Sequence, residues 1–315
     1  MARRRTTAVA APSRFSGELI WRLGRAALVL ASVLLVVLCG VGGFLTYQVV
    51  TAVNDTESVT PQSAFQSNFL NLTFTDHRGG EHEGWLLVGL KGAPAIILCH
   101  GYNSNRSELL ALGSLLRQNH FNVYVFNFHG AKAKQSFSDL GIRQADDVLA
   151  AIETVAKQPG VNPRRVGLFG VTTGGYAALA AAEQSPLVKV LVADTIYDSP
   201  GQMFNAQVDQ LVGGTSPLFR LLPGAGFYLV TLGRTKPPVR ANLAKLENMP
   251  KLFVVGRDLP LLAAATEDLY NLSPQPKRLL VLDHSYTTLD SGTVKREYED
   301  QVLSFFLRNL PLRAD

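Results

Sequence analysis

The stretch VGLFGVTTGGYAALAAAEQ, residues Val166–Gln184, decides the fold. Its apolar beginning is typical of a buried strand, and its alanine-rich end is typical of a helix. Gly170 and Gly174 flank the turn between them. Glycine at these positions lets the strand and the helix approach closely while Thr172 adopts a positive φ. The pattern predicts a strand, a sharp turn that exposes the Thr172 hydroxyl, and a helix.

Apolar strands and helical segments alternate on both sides of this stretch. The predicted strands PAIILCH, NVYVFNF, VKVLVAD, KLFVVG and KRLLVLD are separated by segments with leucine or alanine at helical spacing. Strands that are buried on both faces and joined by helices form mostly parallel sheets. The runs NFLNLTFTD and EGWLLVGL flank the turn-forming HRGGEH and predict an additional hairpin. We therefore predict an α/β fold for residues 68–312, with helices on both faces of the sheet.

One interval, about residues 199–249, interrupts this alternation. It is rich in glycine, proline and apolar residues and shows no clear strand. Long irregular segments in compact domains are usually functional or disordered, and the apolar content argues against disorder. We interpret the interval as a lid insertion over the carboxyl ends of the strands.

A membrane anchor is predicted at residues 26–50, which carry no charge. As a helix they would span roughly 37 Å, more than a hydrocarbon core of about 30 Å. Residues 1–25 are basic, whereas Asp55 and Glu57 follow the apolar run, so the positive-inside rule places the N-terminus in the cytoplasm and the main domain outside. The alternative is a cleaved signal peptide, but its apolar core would be only about 7–15 residues long. The polar residues 51–67 predict a stalk.

Composition and spacing argue against several function classes. The net charge of +5 is concentrated in residues 1–25, so no nucleic acid partner is predicted. The six histidines lack the paired spacing of metal ligands, and GVTTGG is not followed by the lysine of a phosphate loop, so we predict no metal and no cofactor. Only Cys99 lies beyond the anchor, which excludes an intrachain disulfide in the domain.

The candidate catalytic residues follow the predicted strands. Reactive groups in such sheets lie at the carboxyl ends of the strands. Along the chain these ends offer Thr172 as nucleophile, Asp258 as acid and His284 as base. The backbone N–H groups of Tyr102 and Thr173 are candidates for an oxyanion hole. Asp194, which ends the preceding strand, is a rival acid, and His129 is interpreted as a turn residue near the site.

These residues and motifs carry a resemblance to a known family. From about residue 69 to 310 the chain resembles α/β-hydrolases of the peptidase S33-like or bile-acid-CoA-transferase-like type, in HGYNSNRSE, in an elbow of the form G-V-S-x-G-G and in GRD (Gly256–Asp258), where the family has a late G-x-x-D. The resemblance implies an α/β-hydrolase fold and the roles given above for Thr172, Asp258, His284, Tyr102 and Thr173. It also implies cleavage of an ester, thioester or amide of a small acyl compound or peptide.

Thr172 stands where this family has serine. A β-branched residue at positive φ is strained by about 1–3 kcal/mol, and its methyl group restricts the direction of the hydroxyl. Threonine keeps the oxygen, however, and threonine nucleophiles exist. We predict a membrane-anchored hydrolase with a Thr/Asp/His triad. The alternatives are a catalytically inactive hydrolase fold that binds an acyl compound or a protein at the membrane, and a scaffold.

Overall fold

The computed structural model describes residues 15–53, 59–63, 68–128, 135–214, 217–234, 238–289 and 292–313. The helices in these ranges are α1 (Phe15–Val50), α2 (Leu110–Gln118), α3 (Gln144–Ala156), α4 (Thr173–Ala182), α5 (Pro200–Val212), α6 (Pro217–Val230), α7 (Pro260–Leu272) and α8 (Thr293–Asn309). The strands are β1 (Thr51–Val53), β2 (Phe69–Thr75), β3 (Glu81–Leu87), β4 (Ala93–Cys99), β5 (Asn122–Phe126), β6 (Gln135–Phe137), β7 (Val161–Val171), β8 (Val188–Asp194), β9 (Lys251–Gly256) and β10 (Lys277–Leu282).

Eight of these strands form one sheet in the order β10-β9-β8-β7-β4-β5-β3-β2. Strands β10 through β5 in this order are parallel, whereas β3 is antiparallel to both β5 and β2. The parallel sheet and the N-terminal hairpin confirm the fold class predicted from the alternating apolar runs. Strands β7 and β4 lie at the centre, so the turn after β7 is flanked by neighbouring strand ends.

Helices cover both faces of the sheet because side chains on each strand alternate between two cores. In β4, Ile97 packs in the core beneath α3 and α4, whereas Ile96 and Leu98 pack in the core beneath α2 and α8. All seven residues of β4 are buried. This two-sided burial explains why the sequence shows continuous apolar runs rather than alternation.

The predicted lid interval contains two helices, α5 and α6, which the sequence analysis did not separate. The boundaries of α5 follow from local signals: the Ser199 side chain caps its N-terminus, Pro200 begins it, and Gly213 ends it at a φ of 68°. These are the ordinary start and stop residues of helices. The glycines and prolines of the interval and the apolar residues of α6 obscured the two helices in the sequence.

Helix α1 ends at Val50, where the segment predicted as a stalk, residues 51–67, begins. Its last turns bury Leu45, Thr46, Val49 and Val50 against the domain. Strand β1 then pairs antiparallel with β6. Residues 54–58 and 64–67 of the predicted stalk lie outside the described residues. The described end of the anchor is therefore packed on the domain.

Helix α6 packs against the end of α1 through a glycine. The Thr46 hydroxyl donates to the carbonyl oxygen of Pro223 at 3.0 Å. A Cβ on Gly226 would lie 2.4 Å from the Thr46 Oγ1, whereas a Cβ on Gly224 would meet nothing within 4 Å. Gly226 therefore sets the close approach of the two helices.

We expect Gly226→Ala to be less stable than Gly224→Ala by about 1–3 kcal/mol, because the new methyl group overpacks the helix contact. Both changes replace a helical glycine with alanine, so the second variant controls for helix propensity. Thermal unfolding of the full chain in detergent micelles measures the difference. Equal stability of the two variants would contradict the importance of this contact.

Candidate active site

The turn between β7 and α4 holds Thr172 in a left-handed conformation. Its φ is 45° and its ψ is −108°, and the residue is buried. The Thr172 N–H donates to the Asp194 carbonyl oxygen at 2.8 Å, and the Tyr176 N–H donates to the Thr172 carbonyl oxygen at 2.9 Å. These two hydrogen bonds tie a strained backbone to the neighbouring strand and to the following helix.

The glycines on both sides of Thr172 allow this turn. A Cβ on Gly170 would lie 2.4 Å from the carbonyl oxygen of Gly174. A Cβ on Gly174 would lie 2.3 Å from the carbonyl oxygens of Cys99 and His100. In each case the obstacle is backbone, which cannot rotate aside. Strand β7, helix α4 and the end of β4 therefore approach as closely as glycine alone permits.

The Thr172 hydroxyl lies beside the two predicted oxyanion donors. Its Oγ1 accepts a hydrogen bond from the Tyr102 N–H at 3.1 Å. Thr173 begins α4, so its N–H has no acceptor in the preceding turn of helix. The hydroxyl therefore occupies the Tyr102 donor, which would otherwise be available to a ligand oxygen.

Tyr102 also connects the site to the anchor. Its hydroxyl donates to the carbonyl oxygen of Val49, in the last turn of α1, at 2.6 Å. Burial raises the pKa of Tyr102 to about 12, so the phenol stays protonated and remains a donor near neutral pH. Tyr102 thus hydrogen-bonds the elbow through its backbone N–H and helix α1 through its side-chain hydroxyl.

Asp258 and His284 do not form a hydrogen-bonded pair. The Asp258 carboxylate, at the end of β9, accepts from the Ser285 N–H at 2.9 Å and from the Thr288 hydroxyl. His284 is exposed, and its side chain makes no hydrogen bond or ion pair within the described part of the chain. The structure thus places the predicted acid beside the predicted histidine loop, but it holds the acid through Ser285 and Thr288.

Thr287 lies beside the elbow, and the sequence analysis missed it. A Cβ on Gly101 would lie 3.0 Å from the Thr172 Oγ1 and 3.1 Å from the Thr287 Cγ2, so both side chains lie against Gly101. The Thr287 hydroxyl bonds with the Ser285 hydroxyl at 3.1 Å. A threonine in a loop carries no catalytic signal in a sequence, and its spacing after His284 gives none either. The group that faces the elbow from this loop is therefore a methyl group.

Asp194, the rival acid, is bonded on both carboxylate oxygens. Oδ1 accepts from the Thr195 hydroxyl at 2.6 Å, while Oδ2 accepts from the Tyr286 N–H at 3.0 Å and from the Tyr298 hydroxyl at 2.9 Å. The side chain is wholly buried, and burial raises its pKa to about 6. Asp194 therefore joins β8 to the loop after β10 and to α8.

A buried cluster elsewhere brings together Asp76, His82 and Asp147, whose ligand atoms lie within 4.8 Å of one another. The His82 Nε2 lies 3.2 Å from Asp76, and the Nδ1 faces the Asn127 carbonyl oxygen at 3.3 Å. The Arg78 guanidinium lies 3.6 Å from Asp147. Basic side chains of the protein thus already face both carboxylates, and we interpret the cluster as an ion-pair network. His129 lies outside the described residues.

Comparisons with known proteins agree with this architecture. The sequence profile described as the alpha/beta hydrolase family matches residues 96–306, from β4 to α8. The chain belongs to this family. The match includes the Thr172 elbow and the Asp258 loop, and it confirms the superfamily that the elbow and the HGYNSNRSE motif predict.

YfhR and the two solved structures below extend over most of the chain, whereas the thiohydrolase matches less than half of it. Protein YfhR of Escherichia coli (strain K12) is 27% identical over 251 residues, which are 76% of this chain and 81% of YfhR. A thiohydrolase, aneE of Aspergillus aculeatus, is 23% identical over 132 residues, 41% of this chain and 42% of aneE. The Pyrococcus furiosus esterase Pf2001 superposes with a TM-score of 0.63 at 17% identity, covering 82% of this chain and 97% of the esterase. The α/β hydrolase GrgF from Penicillium gives 0.58 at 18% identity, covering 77% and 99%. The structural matches show the fold.

We expect Asp194→Ala to lower the free energy of unfolding by about 2–4 kcal/mol, because the variant leaves buried donors without an acceptor. Asp258→Ala serves as the comparison, since Asp258 is partly exposed and water can reach its partners. We expect a smaller loss there. Urea unfolding of both variants, followed by intrinsic fluorescence, measures the two losses. An Asp194→Ala variant as stable as Asp258→Ala would refute the structural role.

Proposed function

We propose that this chain is a membrane-anchored member of the alpha/beta hydrolase family that binds an acyl compound at its elbow and turns it over poorly or not at all. One observation carries the proposal. The Thr172 hydroxyl bonds with an oxyanion donor, and no basic side chain of the described residues bonds with it. A hydroxyl without a base is a weak nucleophile at neutral pH.

The absence of a base beside the Thr172 hydroxyl, within the described part of the chain, lowers the expected rate of hydrolysis. A positioned general base contributes about 100- to 10,000-fold to a rate. In the described structure the loop that would supply it presents Thr287 toward the elbow, while His284 is exposed. Hydroxyl and methyl groups do not accept a proton near neutral pH. Threonine at the nucleophile position further restricts the rotation of the hydroxyl.

Binding is supported by the features that remain. The Thr173 N–H at the start of α4 provides a donor for a carbonyl or carboxylate oxygen, and the Tyr102 N–H, which the Thr172 hydroxyl occupies, is the second donor of the same site. A cavity of about 280 Å³ opens next to Asp258 between α5 and α7, with Ala206, Leu259 and Leu262 in its lining. Pockets of this kind hold small apolar ligands. The cavity lining ends at Asp258 and does not include Thr172 or Tyr102, so an acyl group in the cavity would have to extend past Asp258 to place its oxygen at the elbow.

Membrane attachment is the second part of the proposal. Residues 17–50 of α1 form a helix that is long and apolar enough to cross a bilayer. The basic residues 1–25 support a cytoplasmic N-terminus, which leaves the hydrolase-fold domain on the other side. The anchor then keeps the elbow at a fixed place near the membrane.

Hydrolysis through Thr172, Asp258 and His284 is the second candidate function. The elbow geometry and the two N–H donors favour it, and relatives by name include a thiohydrolase. It requires the loop after β10 to bring His284 from solvent to Thr172. The two candidates differ in turnover, and a direct assay separates them.

We expect the full chain in detergent micelles to hydrolyse p-nitrophenyl acetate, butyrate and octanoate no faster than a Thr172→Ala control. Thr172→Ser alone should add little, because it restores the smaller nucleophile without a base. Thr172→Ser combined with Thr287→His should raise kcat/KM by about 100-fold or more, since it supplies the base at the position that faces the elbow. Wild-type turnover that is lost in both Thr172→Ala and His284→Ala would overturn the proposal and establish the triad.

Because the Thr172 hydroxyl occupies the Tyr102 N–H, we predict a second result, which concerns ligand binding. Hexanoate should bind about fivefold more tightly to Thr172→Ala than to the wild type, because removal of the hydroxyl frees the Tyr102 N–H and one hydrogen bond is worth about 1 kcal/mol. Thr287→Ala is the matched control, since it removes the same atoms beside Gly101 and leaves the donor occupied. The ligand-induced shift in unfolding temperature measures affinity. Equal gains in both variants would mean that volume, not the freed donor, governs binding.

A further inference from the structure

Helix α6 exposes an apolar face to solvent. Ala225, Tyr228, Leu229 and Leu232 lie four, seven, eight and eleven positions after Leu221, from α6 into the turn after it, and so share one side of the helix. Leu221, Leu229 and Leu232 are 70, 71 and 79% exposed. Single exposed leucines are ordinary, but an aligned row marks a surface that meets an apolar partner.

The opposite face of α6 is occupied by the protein itself. Pro223 and Phe227 are buried, and the Phe227 ring stacks on Phe204 of α5 with centroids 4.7 Å apart. Thr46 of α1 bonds the Pro223 carbonyl oxygen. One face of α6 is thus packed on α5 and α1. The exposed leucines lie on the opposite face and therefore point to solvent.

Because α6 packs on α1 at Thr46, the position of Thr46 along α1 sets the depth of α6 relative to a bilayer. Residues 26–44, which precede the packed turns, span roughly 28 Å as a helix, close to the thickness of a hydrocarbon core. Trp21 and Tyr47 flank that span and are 63 and 49% exposed. Aromatic residues of this type lie at membrane interfaces. Thr46, which bonds α6, is adjacent to Tyr47 and therefore at interfacial depth.

The segment of sequence that contains α6 is basic, although in the structure Arg240 pairs with Asp198 and Lys236 lies outside the described residues. No acidic residue occurs between Asp209 and Glu247, whereas five basic residues do. The basic residues are Arg220, Arg234, Lys236, Arg240 and Lys245. Apolar helices with basic surroundings bind the interface of membranes that contain anionic lipids.

We propose that α6 lies in the outer interface of the bilayer beside α1, with the face formed by Leu221, Ala225, Tyr228, Leu229 and Leu232 inserted among the lipids. Because α6 packs on the end of α1, the anchor and the lid helix would together form one membrane-contacting unit. The domain is then held against the bilayer at two elements rather than by a single tether. If the proposed binding function also holds, the ligand is an acyl lipid taken from that membrane.

Site-specific fluorescence quenching tests the position of α6 independently of ligand binding. The full chain carries Cys39→Ser, which leaves Cys99 as the native thiol; Cys99 is buried, and burial raises its pKa, so it resists labelling. Single labels with the fluorophore NBD are placed at Leu229→Cys, at Val36→Cys in the anchor and at Leu272→Cys. Leu272 is 58% exposed at the end of α7 and serves as the matched control. The chain is reconstituted in phosphatidylcholine–phosphatidylglycerol vesicles, with and without lipid nitroxide-labelled at acyl carbon 5.

We expect the nitroxide lipid to quench the labels at positions 229 and 36 at least twofold, and aqueous iodide to quench only the label at position 272. Quenching at position 36 without quenching at position 229 would overturn the proposal while leaving the anchor intact. Lack of quenching at both positions would overturn the anchor and with it this inference. Protection of position 229 from both quenchers, together with crosslinking between copies, would assign the face to a second copy and would also overturn the proposal.

Discussion

The close packing of strand β7, helix α4 and the end of β4 constrains everything at the elbow. Gly170 and Gly174 face backbone carbonyls, so no other residue fits without separating these elements. Their approach holds Thr172 at a φ of 45°, a conformation that a β-branched residue would not adopt by itself. The position of the Thr172 hydroxyl and the freedom of the Thr173 N–H follow from this geometry. The position of Thr172 is therefore set by packing at the centre of the sheet, and the surrounding loops contact a residue whose place is fixed.

Tyr102 extends this constraint to helix α1. Its N–H bonds the elbow hydroxyl, and its phenol bonds the last turn of α1. Strand β1 adds a backbone ladder with β6 directly after that turn. A flexible stalk would separate the orientation of the domain from the anchor, whereas these contacts couple them. Helix α1 thus contacts the loop of Tyr102, and its residues 17–50 are long and apolar enough to cross a bilayer.

Backbone groups and hydroxyls make the hydrogen bonds of Thr172 and Asp258, and within the described residues no titratable base bonds the Thr172 hydroxyl. The turn, the helix start and the Tyr102 donor are intact, and the Asp258 carboxylate remains at the end of β9. Around Asp258, however, the partners are the Ser285 N–H and the Thr288 hydroxyl. Neither group takes up a proton near neutral pH. Membership of the alpha/beta hydrolase family shows the fold, and the chemistry depends on this loop.

The sequence alone determined the features that rest on local patterns. Alternating apolar runs predicted the parallel sheet, the glycines around Thr172 predicted the elbow, and the uncharged residues 26–50 predicted the long helix; the family and the fold class are confirmed. The caps of α5 were also legible at Ser199 and Gly213, although the apolar interval concealed them. Each of these depends on residues a few positions apart, where spacing alone implies contact.

Only the tertiary structure decided which side chains meet. The Tyr102 hydroxyl reaches Val49 across 53 positions, and Thr46 reaches Pro223 across 177. Chain order suggested His284 as the partner of Asp258, but the turn after β10 directs Thr287 toward the elbow and leaves His284 in solvent. A shift of one residue along a loop reverses the direction of a side chain, and no periodic pattern in the sequence predicts such a shift. Order along the chain determined which strand ends gather, and the packing of the loops determined which groups face one another there.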